Sequence, residues 1–296
     1  MRLVNGQGDY LDGLTIDRYN EHFVIQYFKP HWTEHFDLIK DFFIHQFNPQ
    51  YIIAKERIGR SEHSRAHPKV QILFDLSDSK TTVTEGGINF IVDLNDAMNT
   101  GLFLDMRQNR KRVAQAAHGK SVLNCFAYTC SFGVYCRSLG AKSVVNVDIS
   151  RKALEWGSQN YALNNIAAGP HEFVRADALK YLARGFKKDY RFDVIVIDPP
   201  SFSRCEAQTF SVKKDLGKTI EAALKIINPG GYLFFSTNES SISSPYLASV
   251  IKRQMREQNR PWQDTGHCGQ DVDFPGSGTM KESHLACVLT KIGDRS

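Results

Sequence analysis

SVLNCFAYTCSFGVYCRSLGAKSVVNVD (residues 121–148) starts with an apolar run of strand length, crosses a segment of helical length and closes on a second apolar run ending in Asp148. Strands joined by a helical crossover lie parallel, because antiparallel neighbours need only a tight turn. The alternation continues downstream. EFVRA (172–176), FDVIVID (192–198) and GGYLFFS (230–236) read as strands, while SRKALEWGSQNYALNN (150–165), ALKYLARGFKK (178–188) and VKKDLGKTIEAALKIIN (212–228) read as helices. This pattern predicts an α/β fold with a mostly parallel sheet covered on both faces. Pro229, Gly230 and Gly231 read as a sharp stop before the fifth strand. A last helix around 243–259 and an antiparallel hairpin that includes HLACVLTKI (284–292) should complete the sheet.

Upstream, DGLTIDRYNEHFVIQYF (12–28) alternates like a hairpin turning near Asn20, TEHFDLIKDFFIHQF (33–47) has helical periodicity, and GGINFIVDL (86–94) is another strand. Residues 1–98 are therefore expected to form a small α+β module, and 99–296 the sheet domain.

At 296 residues the chain is long enough for both. No apolar run approaches the ~20 residues of a membrane helix, and the start, MRLVNGQGDYLDG, is too polar for a signal peptide. A cytoplasmic location is expected. The six cysteines (Cys125, Cys130, Cys136, Cys205, Cys268, Cys287) lack zinc-like spacing, so reduced thiols and no metal are expected. The net charge of +5 is compatible with a polyanionic partner. It is densest in KERIGRSEHSRAHPK (55–69), which reads either as a solvated loop or as a phosphate-contacting face through Arg57, Arg60 and Arg65.

Open parallel sheets bind ligands at the carboxyl ends of their strands. Here those ends carry Asn124, Asp148, Asp177 and Asp198. A carboxylate placed as Asp148 is, one strand–helix–strand unit along, suits a ribose. The first loop has no GxGxxG, and Tyr128, Thr129 and Cys130 leave little room for a pyrophosphate. A nucleoside without phosphates and with a cationic centre, S-adenosylmethionine, fits better than NAD. Asp148 and Asp177 would also serve as helix caps.

LNCFAYTCSFGVYCRSLGAKSVVNVDISRKALEWGSQNYALNN, FVRADALKYL and FDVIVIDPPSFS, with GLFLDMRQNRKRV (101–113) ahead of them, resemble class I S-adenosylmethionine-dependent methyltransferases, and among these the RlmI/RlmK-like large-subunit rRNA methyltransferases. The resemblance covers nearly the whole chain. It implies a Rossmann-like domain with a mostly parallel seven-stranded sheet and a C-terminal antiparallel hairpin, preceded by a small α+β module. It further implies S-adenosylmethionine as cofactor and RNA, specifically large-subunit rRNA, as partner. A homodimer is allowed; no membrane and no metal are implied. Cofactor contacts would fall on Arg107, Asn124, Phe126, Tyr128, Thr129, Asp148, Ile149, Asp177, Ala178 and Asp198. Three departures stand out. The PUA domain that precedes the central module in RlmI is expected to be missing, because Met1 falls where it would end; Cys130-Ser131 replaces a glycine pair; and Thr237 in FFSTNES (234–240) stands where carbon-5 cytosine enzymes carry a nucleophilic cysteine.

That last difference bears on chemistry. Carbon 5 of cytosine reacts only after a thiolate adds to carbon 6. An amino or ring nitrogen needs only alignment and an acceptor for its N–H. Asp198, Pro199, Pro200 and Phe202 are expected to cradle a planar amine-bearing base: the carboxylate accepts the N–H, the prolines stiffen the loop and the ring stacks. Thr237 and Asn238 are expected on the acceptor side. The expected activity is N-methylation of an rRNA base. Carbon-5 methylation through another thiol such as Cys205, methylation of a protein or small molecule, and cofactor or RNA binding without catalysis remain as alternatives.

Overall fold

The computed structural model describes residues 1–59, 69–96, 99–200, 202–205, 208–276 and 285–293, with backbone alone at 202–205, 208–210 and 264–267. Two compact units emerge: residues 1–105 with 270–276, and residues 106–269 with 285–293. This division lies a few residues beyond the boundary read from sequence. The return of 270–276 to the first unit has no counterpart in the sequence pattern.

The first unit carries a five-stranded sheet of β1 (Arg2–Asn5), β2 (Leu14–Tyr19), β3 (His22–Tyr27), β4 (Tyr51–Glu56) and β5 (Val70–Asp75), in that order. Helix α1 (Phe36–Phe47) links β3 to β4, the one parallel pair of this sheet. Alternate residues Leu14, Ile16, Phe23 and Ile25 meet Phe36 and Phe43 of the helix, and the Phe23 and Phe43 rings lie 4.7 Å apart. Asn20, at φ 56°, makes the β2–β3 turn. A separate hairpin pairs β6 (Lys80–Glu85) with β7 (Ile88–Asp93).

The second unit begins with α2 (Arg107–Ala116) and then alternates: β8 (Ser121–Cys125), α3 (Ser131–Ser138), β9 (Ser143–Asp148), α4 (Arg151–Leu163), β10 (Phe173–Arg175), α5 (Ala178–Lys187) and β11 (Phe192–Ile197). After β11 come a small hairpin of β12 (Phe202–Cys205) and β13 (Gln208–Ser211), then α6 (Val212–Ile226), β14 (Ile227–Thr237), α7 (Ser244–Glu257), β15 (Trp262–His267) and β16 (Ala286–Ile292). The sheet order is β10-β9-β8-β11-β14-β16-β15, parallel throughout except for the antiparallel β16. The order reverses between β8 and β11, which puts the ligand crevice at the carboxyl ends of these strands.

Burial explains the sequence pattern. Val194 to Ile197 of the central β11 are all fully buried, as expected for a strand covered on both faces. On α6, Val212, Leu216, Ile220 and Leu224 recur every fourth residue and face the core, leaving Lys213, Lys214 and Lys218 outside. Two local readings differ. Pro229 to Gly231 lie inside β14, where the pairing jumps from Phe192–Ile227 to Val194–Tyr232. A Cβ at Gly231 would sit 2.7 Å from the Asp193 carbonyl oxygen, so the glycine lets the irregular strand close against β11. The β12–β13 hairpin also went unread, because strands of four residues are too short to show an alternation.

Candidate active site

The loop between β8 and α3 doubles back tightly. Phe126, Tyr128 and Cys130 all adopt left-handed backbone, at φ 57°, 47° and 61°. Non-glycine residues reach that region at a cost of about 1 kcal/mol each. The turn brings the Tyr128 N–H to Asp148 Oδ2 at 2.8 Å, while the Ser150 N–H donates to Asp148 Oδ1 at 2.8 Å. Asp148 therefore does not cap α4; Ser150 does, accepting from the Ala153 N–H. Burial raises the Asp148 pKa, opposed by these amide donors. Beside it Ile149 is 46% exposed, an apolar face next to a carboxylate.

Beneath the loop runs a buried chain of amides. Asn124 Nδ2 donates to Asn146 Oδ1 at 2.9 Å, and Asn146 Nδ2 donates to the Tyr161 hydroxyl at 2.9 Å. Asn124 thus braces the strands from inside. A Cβ at Gly133 would lie 2.3 Å from Asn146 Oδ1, so α3 can approach only with glycine there. Thr129 is fully buried, and its carbonyl accepts from Asn160 Nδ2 at 3.1 Å. Cys130 is packed against Gly157, and burial, helped by Asp148, pushes its thiol well above the ordinary value.

Asp177 caps α5, its Oδ1 accepting from the Lys180 N–H at 2.9 Å, and Ala178 is buried at the start of that helix. Arg107 opens α2, half-buried. Asp198 follows β11, and its Oδ1 accepts from the Ser236 hydroxyl of the neighbouring β14 at 2.7 Å. Pro199 is buried and Pro200 exposed. Thr237 is 1% exposed, and its Oγ1 accepts from the Glu239 N–H at 3.1 Å; Asn238 is exposed. The side chains of Phe202 and Cys205 lie outside the described residues.

The structure brings to this edge a thiol pair that sequence reasoning missed. Cys287 on β16 is the register partner of Ser236 and hydrogen-bonds with Cys268, which follows β15. That bond and burial push the Cys287 thiol far above its ordinary value, with Asp198 adding to the effect. Asn109 of α2 donates to Cys287 Sγ at 3.8 Å, and its Oδ1 accepts from the Gly269 N–H at 3.3 Å. Only tertiary pairing could reveal this, since 19 positions separate the two cysteines.

The basic segment fares differently. Lys55 is 1% exposed and donates to the Asp96 carbonyl at 2.7 Å, so it is an interior residue rather than part of a phosphate face. Arg57 Nε donates to Gln26 Oε1 at 2.9 Å, and Arg60 and Arg65 lie outside the described residues. Among the described residues, no three His, Cys, Asp or Glu side chains group as metal ligands, and no helix is long and apolar enough to cross a membrane.

Residues 2–259 match the family model described as S-adenosylmethionine-dependent methyltransferase. The chain belongs to that family. Relatives within it include ribosomal RNA large subunit methyltransferase I of Aeromonas hydrophila, 35% identical over 93% of this chain and 70% of that protein. Ribosomal RNA large subunit methyltransferase K of Neisseria meningitidis is 37% identical over 72% of this chain and 61% of its own length. Among solved structures, the methyltransferase SMU.776 complexed with SAH superimposes with a TM-score of 0.87 at 27% identity, covering 98% of this chain and 74% of that one. The methyltransferase's cofactor is S-adenosylmethionine, and the site suits it. The Asp148 carboxylate is half-buried and fixed by two amide donors, and exposed Ile149 leaves an apolar face beside it, a donor set that fits a nucleoside. The homodimer finds no support in these comparisons.

Proposed function

We propose that the protein methylates a nitrogen on a base of large-subunit rRNA. The observation that carries this reading is the fixed acceptor at the end of β11: Asp198, held by Ser236 and followed by two prolines, beside a Thr237 whose hydroxyl is engaged by Glu239. When bound, S-adenosylmethionine supplies a methyl group already activated on a sulfonium. The chain's own residues then align the acceptor. Asp148 holds the ribose, with Tyr128, Ile149 and Asp177 around the nucleoside. Asp198 accepts an N–H of the target amine and turns its lone pair toward the methyl group. Pro199 and Pro200 keep that loop from yielding.

The names of the relatives support rRNA as the acceptor. Incubating the protein with tritiated S-adenosylmethionine and either purified large-subunit or small-subunit rRNA tests the acceptor. Nucleoside mass spectrometry of the product then identifies the methylated atom. Label confined to large-subunit rRNA, on an N-methylated base, is expected; label on protein or no transfer defeats the reading.

The Cys268–Cys287 pair favours a second reading, carbon-5 methylation of cytosine, because it lies beside the strand carrying Ser236. Cys268, half-exposed, would be the thiol that adds to carbon 6. A covalent adduct with 5-fluorocytosine RNA that disappears in Cys268→Ala would establish it.

A further inference from the structure

Helices α6 and α7 both leave the carboxyl edge of the sheet that carries Asp198 and Thr237, and between them runs a groove of about 330 Å³. Lys213, Lys214, Gly217 and Lys218 line it from α6, and Tyr246 and Arg253 from α7. The four cations are exposed, and among the described residues none of them forms an ion pair. The groove's carboxylate, Glu221, is already paired with Lys225 Nζ at 2.7 Å.

Local helix energetics do not account for this composition. Lys213 and Lys214 fall in the first turn of α6, where the helix dipole disfavours positive charge. Gly217 sits inside a helix, where glycine costs roughly 0.5–1 kcal/mol against alanine. A Cβ there would meet nothing within 4 Å, so packing does not demand the glycine. It leaves the groove open. Tyr246 is 53% exposed, a ring available for stacking.

A further observation comes from the groove wall. Gln254 is 8% exposed, and its Nε2 donates to Glu257 Oε2 at 2.8 Å, which fixes the orientation of the amide because a carboxylate can only accept. Its Oε1 is left buried without a partner. An orphaned acceptor of this kind costs about 1–3 kcal/mol, which a hydroxyl donor would offset. Gln254 is itself one of the residues lining the groove. Cations for phosphates, a ring for a base and an acceptor for a 2′-hydroxyl together match RNA rather than DNA.

We propose that the α6–α7 groove binds the backbone of single-stranded RNA flanking the target base. The proposal rests on the rRNA reading above and adds a surface to it. Its test is fluorescence anisotropy with a labelled single-stranded oligonucleotide of large-subunit rRNA sequence, and with DNA of the same sequence, across a potassium chloride series. Each phosphate contact to a single strand contributes about 0.7 to the slope of log affinity against log salt. K213A/K214A/K218A should lower that slope by about 2 and weaken RNA binding at least tenfold, leaving S-adenosylmethionine affinity and Tm as in the parent. Gln254→Leu should cut the preference for RNA over DNA several-fold with little change in slope. If the parent binds RNA and the triple variant keeps its slope and affinity, the groove proposal falls while the rRNA reading stands. If the parent prefers DNA, or binds neither, both fall.

Discussion

The Ser236 hydroxyl reaches across from β14 to donate to Asp198 Oδ1 at the end of β11, at 2.7 Å. One strand thus sets the rotation of a carboxylate belonging to its neighbour, and Ser236 itself is fully buried.

Asp198→Ala should leave S-adenosylmethionine affinity nearly unchanged and lower transfer by about 10²–10⁴-fold, the range for a positioned proton acceptor. Ser236→Ala should lower kcat by about tenfold at unchanged KM for the cofactor, since the carboxylate survives but turns more freely. Single-turnover transfer of a tritiated methyl group checks both, and full activity of Asp198→Ala contradicts its assigned role.

Asp148→Asn should weaken S-adenosylmethionine binding by about 10–100-fold, the value of a hydrogen bond to a charged acceptor. Burial raises the Asp148 pKa, so protonation sets in at higher pH than for an exposed aspartate. Protonation removes the acceptor, and affinity should fall as pH drops into the acid range. Calorimetry across that range should find the decline in the parent and not in Asp148→Asn.

Lys55 links stability to pH. Burial, with Arg57 nearby, lowers its pKa from 10.5 to about 8. Between about 8 and 10.5 the unfolded chain holds a proton that the folded one has released, so this residue makes stability rise with pH across that window. Below about 8 both states are protonated and the full cost of a buried charge remains. In urea unfolding, the stability of the parent relative to Lys55→Met should improve from pH 7 to pH 9.5; a gap independent of pH would show that Lys55 is not buried as a cation.

Gly133→Ala drives a methyl group into Asn146 Oδ1 and the Tyr161 hydroxyl, and should destabilise by about 2–4 kcal/mol through overpacking and a broken buried network. Gly217→Ala meets nothing and should stabilise by about 0.5–1 kcal/mol. Paired denaturation curves distinguish the two, and equal effects would refute the packing described at Gly133.

Residues whose signal is local were legible in the sequence. Val194 to Ile197 read as a central strand because burial on both faces leaves no polar alternation, and Asp148 could be placed at a strand end because the apolar run of β9 stops there. Ser236 and Asp198 are 38 residues apart, and nothing short of strand pairing makes them partners. Lys55 looked like surface because charge implies water, yet the Asp96 carbonyl satisfies it inside. The alternating left-handed residues were also hidden: Cys130 carries no trace in its side chain of the backbone conformation that its loop imposes.

That cysteine is locked to α4. A Cβ at Gly157 would stand 2.3 Å from Cys130 Sγ, so the two positions share a single allotment of volume. Glycine at 130 would relieve the left-handed backbone but leave a hole, and alanine at 157, ruinous alone, would then press only on the Thr129 carbonyl carbon at 3.3 Å. Neither exchange is neutral by itself, so a sequence lineage crossing between these two solutions must change both sites together or pass through a weakened intermediate.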